Sequence, residues 1–320
     1  MNPLILPLVQ SSPQESDSPY MTAANAAPPP SASRGILFML LTMAMFVSMD
    51  TLAKYLTATY AVPQVVWARY AFHMLVLTIY LRGRILPTLR TRVLKLQLLR
   101  SLAMVITTAV FFLGLHYVPL ATASAIMFVG PLVVTALSMP LLGEHVGPRR
   151  WVGVMIGFAG ALVIIRPGTA VFELAALLPL GAACGYALYQ IMTRMVARTG
   201  EPPMTSLVYT ALLGAVFTSI FAPFFWTAPD LEGWLLMAAM GLFGGLGHFT
   251  LIKAFEAAPA PVITPFGYTS IVWATILGLV VFGDLPDLAT FAGAGLIIAS
   301  GLYVFHRERQ AEQRAKAARA

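Results

Sequence analysis

Residues 113–166 read LGLHYVPLATASAIMFVGPLVVTALSMPLLGEHVGPRRWVGVMIGFAGALVIIR, and this stretch decides the fold. Two apolar runs flank a short polar turn at residues 143–150. A shift of 140 positions brings the pattern back at residues 253–306: Pro119 falls on Pro259, Gly143 on Gly283, Glu144 on Asp284 and Gly153 on Gly293, without a gap. The same offset places Pro63 on Pro203, Phe46 on Tyr186, Asp50 on Gln190 and Lys54 on Arg194. Each coincidence is weak alone. One ungapped offset that carries turns, prolines and apolar runs together marks a duplicated unit.

Composition says where such a unit can live. Of 320 residues, 58% are hydrophobic and only 10% are charged, and the mean hydropathy is +0.80. Soluble domains carry about 25% charged residues, so this chain cannot cover a surface in water. It reads as an all-α integral membrane protein, with the lipid bilayer as its solvent. The net charge of +7 does not point to nucleic acid. The basic residues sit in short connections between apolar runs, where they orient a chain in the membrane. Cys184, the single cysteine, excludes an internal disulfide and argues against a thiol metal site. No metal or organic cofactor is expected.

Residues 1–33, rich in Pro, Ser and Ala, read as a disordered tail that lacks the basic and apolar regions of a signal peptide. Ten apolar runs follow, at 34–56, 63–81, 97–117, 119–142, 149–166, 173–195, 203–223, 231–254, 260–282 and 287–306. Most approach the roughly 20 residues that a bilayer crossing needs. Arg82, Arg84, Arg90, Arg92 and Lys95 follow the second run, Arg149 and Arg150 the fourth, Arg194 and Arg198 flank the end of the sixth, and Lys253 stands at the end of the eighth. The connections after odd-numbered runs hold only Arg166, with Lys54 ending the first run. The alternation predicts cytoplasmic termini, including a basic tail at 307–320. Five crossings per repeat, at 34–166 and 172–306, then give two inverted five-helix repeats, the design of secondary transporters.

With five-plus-five helices, the repeat ending LLGEHVGPRRWVGVMIGFAGALVII and its echo VVFGDLPDLATFAGAGLIIASGLYV, the chain resembles the drug/metabolite transporter superfamily with two EamA-type domains. The LHYVPLATASAI turn and Lys54 at the end of the first helix fit the same pattern. The resemblance implies that helices 1, 3, 4, 6, 8 and 9 line a central cavity and that helices 5 and 10 lie outside it. It implies a small-molecule substrate without identifying one.

Candidate binding residues follow from where polar and aromatic side chains interrupt the apolar runs. Asp50 and Arg69 fall at similar depth on adjacent helices and are expected to pair, since an isolated charge in the bilayer costs roughly 2.5–3.5 kcal/mol. Their role is either a substrate or proton site or a structural ion pair, with Lys54 snorkelling to the headgroups. The resemblance implies that Phe46, Tyr186, Tyr189 and Gln190 face the central cavity, where an aromatic wall with one amide edge suits a flat, polar-edged ligand. Phe128, His248, Tyr268 and Trp273 complete the candidate set. Gly130-Pro131 and Thr264-Pro265 should break their helices near mid-membrane, although the two prolines do not share a register. Plain packing is the competing reading for the aromatics and prolines, and structural satisfaction the competing reading for His248. Gly153, Gly157, Gly160, Gly293 and Gly295 form small-residue faces for helix packing or for a homodimer. Glu144 and Asp284 are expected to cap the following helices.

The function expected is secondary transport of a small organic metabolite across the inner membrane by alternating access. Residues 265–274, PFGYTSIVWA, resemble the branch that takes up riboflavin or adenosyl-type cofactors. Amino-acid, metabolite or drug efflux on the same scaffold is the alternative. An intramembrane enzyme is a further class, but the chain has no His-Glu-x-x-His, Gly-x-Ser-x-Gly or Walker-type motif.

Overall fold

A computed structural model describes residues 32–142, 148–166, 174–258 and 260–317, and every regular element among them is helical. The first half contains α1 (Ala32–Thr57), α2 (Val62–Tyr80), the single turn α3 (Ile85–Thr88), α4 (Leu94–Tyr117), α5 (Leu120–Met127), α6 (Gly130–Leu142) and α7 (Pro148–Ile165). The second contains α8 (Leu177–Ala197), α9 (Pro203–Phe221), α10 (Leu231–Ala257), α11 (Ala260–Ile263), α12 (Ser270–Leu277) and α13 (Leu288–Ala317). Among the described residues, 7 helices are long and apolar enough to cross a membrane, and Trp151–Ile165 and Leu288–Tyr303 are shorter apolar helices. Gln64, Arg69 and His73 dilute the apolar character of α2, which is of similar length.

Local chemistry sets the helix ends. Proline in the first turn of α2 and of α9 gives up an amide that has no intrahelical acceptor there. Asp230 accepts from the Gly233 amide at 2.8 Å and caps α10. At α13 the capping carboxylate is Asp287, which accepts from the Thr290 amide at 2.9 Å. Asp284, expected in that role, instead faces Lys54. Glu144 lies outside the described residues. Within the expected basic tail at 307–320, α13 continues as far as Ala317. Residues 307–317 are Arg, Glu, Gln, Ala and Lys, all strong helix formers.

Both expected helix breaks are present. Between α5 and α6 the α-helix is interrupted at Phe128 and Val129, just before Gly130-Pro131. Between α11 and α12 the chain tightens into a 3₁₀ helix over Thr264–Thr269, and α12 then widens into a π-helix over Gly278–Phe282. Gly283 ends that segment with φ 71°, a left-handed conformation that glycine adopts at no steric cost.

The sequence offset reappears in the packing. It carries α1 onto α8, α2 onto α9, α4 onto α10 and α7 onto α13. The principal contacts are unchanged by that exchange. α1 packs on α10 as α8 packs on α4, α2 packs on α10 as α9 packs on α4, and α6 packs on α8 as α12 packs on α1. The α2–α9 and α7–α13 contacts map onto themselves. The α7–α13 contact uses the glycine faces. A Cβ on Gly160 would stand 2.8 Å from the Gly293 carbonyl, and the Ser300 hydroxyl donates to the Gly153 carbonyl. Gly153, Gly160 and Gly293 therefore serve packing within the chain.

Connections gather at the two ends of the bundle. At one end His116 Nδ1 meets the Thr57 carbonyl at 2.9 Å, and the Gln64 amide makes two hydrogen bonds to the Thr227 backbone, at 2.8 and 2.9 Å. Tyr60 reaches Asp230 and Arg166 pairs with Asp287 at that end too. At the other, the Arg92 amide donates to Glu201 and the Tyr209 hydroxyl to the Leu89 carbonyl. This second end carries Arg82, Arg84, Arg90, Arg92 and Arg198.

Candidate functional site

A cavity of about 550 Å³ lies where the halves meet. The interrupted helices put it there. The 3₁₀ segment delivers Thr264, Pro265 and Tyr268 to the cavity wall, and the α5–α6 break delivers Phe128. Phe128 and Tyr268 then meet across the repeat boundary, with ring centroids 5.1 Å apart and planes tilted by 59°.

Eight of the ten residues singled out from sequence line this cavity: Phe46, Asp50, Arg69, Phe128, Tyr186, Gln190, His248 and Tyr268. Phe46 sits edge-on to His248 at 5.0 Å. His248 in turn stacks on His73, 5.4 Å away with the planes 7° apart. His73 is buried, and its Nε2 has no hydrogen-bond partner among the described residues. Tyr189 and Trp273 do not line the cavity. Tyr189 lies behind Tyr186, stacked on it at 5.8 Å and 20°. Trp273 packs against the main apolar core.

The expected Asp50–Arg69 ion pair is not formed. Arg69 reaches α4 instead, where its Nη1 donates to Thr108 Oγ1 at 2.6 Å and its guanidinium lies over the rings of Tyr70 and Phe112. Thr108 and Phe112 of α4 offer it a hydroxyl acceptor and an aromatic face. Asp50 lines the cavity with no hydrogen-bond or ion-pair partner among the described residues. A carboxyl group and a guanidinium thus line one space without a direct ion pair between them.

Lys54 does not snorkel. Its ammonium donates to the Val118 carbonyl at 2.9 Å, lies 3.6 Å from Asp284 and sits 5.2 Å from the Phe282 ring centroid. These contacts join α1 of the first half to the turn before α13 in the second. Around them Leu56, Leu115, Val118 and Leu120 are at most 3% exposed, so this end is packed shut. The cavity wall extends the other way, to Arg194 near the end of α8, Leu251 in α10 and Leu302 in α13.

Sequence reading passed over Arg100. It is 1% exposed, and it donates to Thr193 Oγ1 at 3.3 Å, to Thr210 Oγ1 at 2.9 Å and to the Ser206 carbonyl. A signal was present. Gln97, Arg100, Ser101, Met104, Thr107, Thr108 and Phe111 recur at helical spacing and form a mostly polar stripe down an otherwise apolar helix. Met104, Thr107, Thr108 and Phe111 of that stripe line the cavity.

The EamA-like transporter family model matches residues 33–166 and 173–305. A riboflavin transporter of Vibrio cholerae is 31% identical over 286 residues, covering 88% of this chain and 96% of that protein. An S-adenosylmethionine uptake transporter of Rickettsia bellii is 29% identical, over 87% of this chain and 96% of its own length. A riboflavin transporter of Brucella anthropi is 29% identical over 225 residues, 69% of this chain and 79% of that one. A solved crystal structure at 20% identity shares the fold with a TM-score of 0.62, covering 88% of this chain and all of that one. The cavity between two matching repeats of apolar helices is accounted for by these relationships: the chain belongs to the EamA-like transporter family and is a multi-pass membrane transporter.

Proposed function

We propose that this transporter takes up a flat, polar-edged vitamin of the riboflavin type by alternating access. The observation that carries the reading is the cavity itself. Its volume of about 550 Å³ lies within the roughly 300–1,000 Å³ typical of small-molecule sites. Tyr186, Phe46, Phe128 and Tyr268 supply aromatic surface for a planar ring system, while Gln190, Asp50 and Arg69 supply donors and acceptors for its edge. The relatives named as riboflavin transporters support the same substrate class. Ten crossings, in two inverted repeats, are supported by the exchangeable packing and by the alternation of Lys and Arg. The same alternation supports cytoplasmic termini, and the inner membrane is the location proposed with them. The end closed around Lys54 is then the outer one, and the cavity reaches toward the cytoplasm.

Expression in a riboflavin auxotroph, at limiting micromolar vitamin, tests the substrate. Rescue of growth together with saturable uptake of labelled riboflavin is expected. Full expression without rescue would count against it. S-adenosylmethionine is the second reading, favoured by the Rickettsia relatives and by Asp50 as a counter-charge for a cation. Excess unlabelled S-adenosylmethionine should leave riboflavin uptake unchanged if the first reading holds. A reporter fused after Ala320 should be active in the cytoplasm only.

A further inference from the structure

Arg100 is the most fully buried charge that the cavity reading leaves unused. It has five N–H donors, and the acceptors around it are two threonine hydroxyls and one carbonyl. No carboxylate pairs with it among the described residues, and its Nε has no partner. Burying a cation against neutral groups alone is costly, and an apolar side chain of similar size would pack there at less cost. What the guanidinium does in addition is cover an aromatic face. Its central carbon lies 5.0 Å from the centroid of Tyr189. The Thr193 hydroxyl that it contacts also donates to the Tyr189 carbonyl, at 2.8 Å. Tyr189 in turn backs Tyr186, nearly parallel to it, and Tyr186 faces the cavity.

We propose that Arg100 is a positioning residue for substrate recognition: clamped between α4, α8 and α9, it fixes the Tyr189–Tyr186 stack at the orientation in which Tyr186 receives a planar ligand. The inference rests on the cavity being the transport site. A ring free to swing about its side-chain torsions would have to be ordered at each binding event. A ring held from behind is ordered in advance, and the gain appears in affinity.

The test measures riboflavin uptake in cells and equilibrium riboflavin binding to purified protein in detergent, for Arg100→Met, Arg100→Lys, Tyr189→Phe and Tyr189→Leu. Maximal rates are normalised to monodisperse protein. Arg100→Met and Tyr189→Leu should each raise both KM and Kd about three- to tenfold with little change in maximal rate. The double variant should be no worse than the poorer single one, because both remove the same support. Arg100→Lys should recover part of the affinity, and Tyr189→Phe nearly all of it, since the stacked face survives. If Arg100→Met fails to fold, Tyr189→Leu and Arg100→Lys still decide. Parental KM and Kd in folded Tyr189→Leu, or a strictly additive double variant, overturn the proposal. Tyr186→Ala separates the two levels of inference. If it too binds and transports normally, the cavity reading has failed; if it is impaired while the Arg100 and Tyr189 variants are not, only the positioning role has.

Discussion

Replacing Lys54 with Met removes a contact with the Phe282 ring and two polar contacts, and the sizes of the polar pair can be ranked. The first is electrostatic: at 3.6 Å the Lys54–Asp284 pair would be worth about 4–5 kcal/mol at an effective dielectric near 20. The side chains are 15% and 37% exposed, however, and measured exposed pairs give only about 0.2–1 kcal/mol. A coupling near 1 kcal/mol follows for this half-screened pair. The second contact is the charged hydrogen bond to the Val118 carbonyl, 2.9 Å long, in the class worth roughly 1.5–3 kcal/mol. Val118 is 3% exposed, so its carbonyl has little access to a replacement donor. The hydrogen bond therefore outweighs the ion pair. Lys54→Met should cost about 2–4 kcal/mol and Asp284→Asn about 1 kcal/mol, with a coupling of about 1 kcal/mol in the double variant. Denaturant titration of the purified protein in mixed micelles, read by tryptophan fluorescence, gives all three values. Equal losses for the two single variants, or zero coupling, would refute this ranking and with it the account of how that end is held shut.

Three further outcomes are expected. Gln190→Ala should weaken apparent riboflavin affinity several-fold, the loss of one neutral hydrogen bond of roughly 0.5–1.5 kcal/mol; Tyr268→Ala should weaken it more, and parental kinetics in both folded variants would reduce these residues to packing. Gly160→Ala should destabilise the protein by about 1–3 kcal/mol through overpacking, because the new Cβ would stand 2.8 Å from both the Gly293 carbonyl and Ile297 Cγ1; Gly295→Ala meets nothing within 4 Å and should be neutral or slightly stabilising. The hydrogen bond from Arg166, with further help from Thr290, lowers the Asp287 pKa from 3.8 to about 2, and a depressed carboxylate stabilises above its unfolded pKa and stops doing so as pH falls through the folded one. The stability difference between wild type and Asp287→Asn, small for so exposed a pair, should thus be full at pH 7 and vanish between about pH 4 and pH 2 in an acid titration; a difference that persists at the acid end would contradict it.

The offset of 140 positions was legible because membrane helices advertise themselves by length and apolarity, and because turns and prolines punctuate both halves alike. Helix breaks at Gly130-Pro131 and Thr264-Pro265 were legible for the same reason. Side-chain partners were not. Asp50 and Arg69 share a depth, but depth does not say which way a long side chain leaves its helix, and Arg69 leaves toward Thr108. Arg100 sits in a run whose length and apolarity dominate its reading, and these hide a stripe at helical spacing. Tyr189 is three residues from Tyr186, which rotates its side chain by about 60° away from the first and puts it one layer back from the cavity.

The two interruptions differ in kind. One is a two-residue gap in the α-helix at Phe128 and Val129; the other is a six-residue 3₁₀ segment followed by a π-helix. Because the principal contacts survive exchange of the halves, the same contact list describes two arrangements, each the other with the halves in swapped roles. With identical halves those arrangements would be isoenergetic. Under the alternating access proposed above, the unequal interruptions lift that degeneracy, and substitutions at Phe128–Pro131 or Thr264–Thr269 are expected to shift the resting preference.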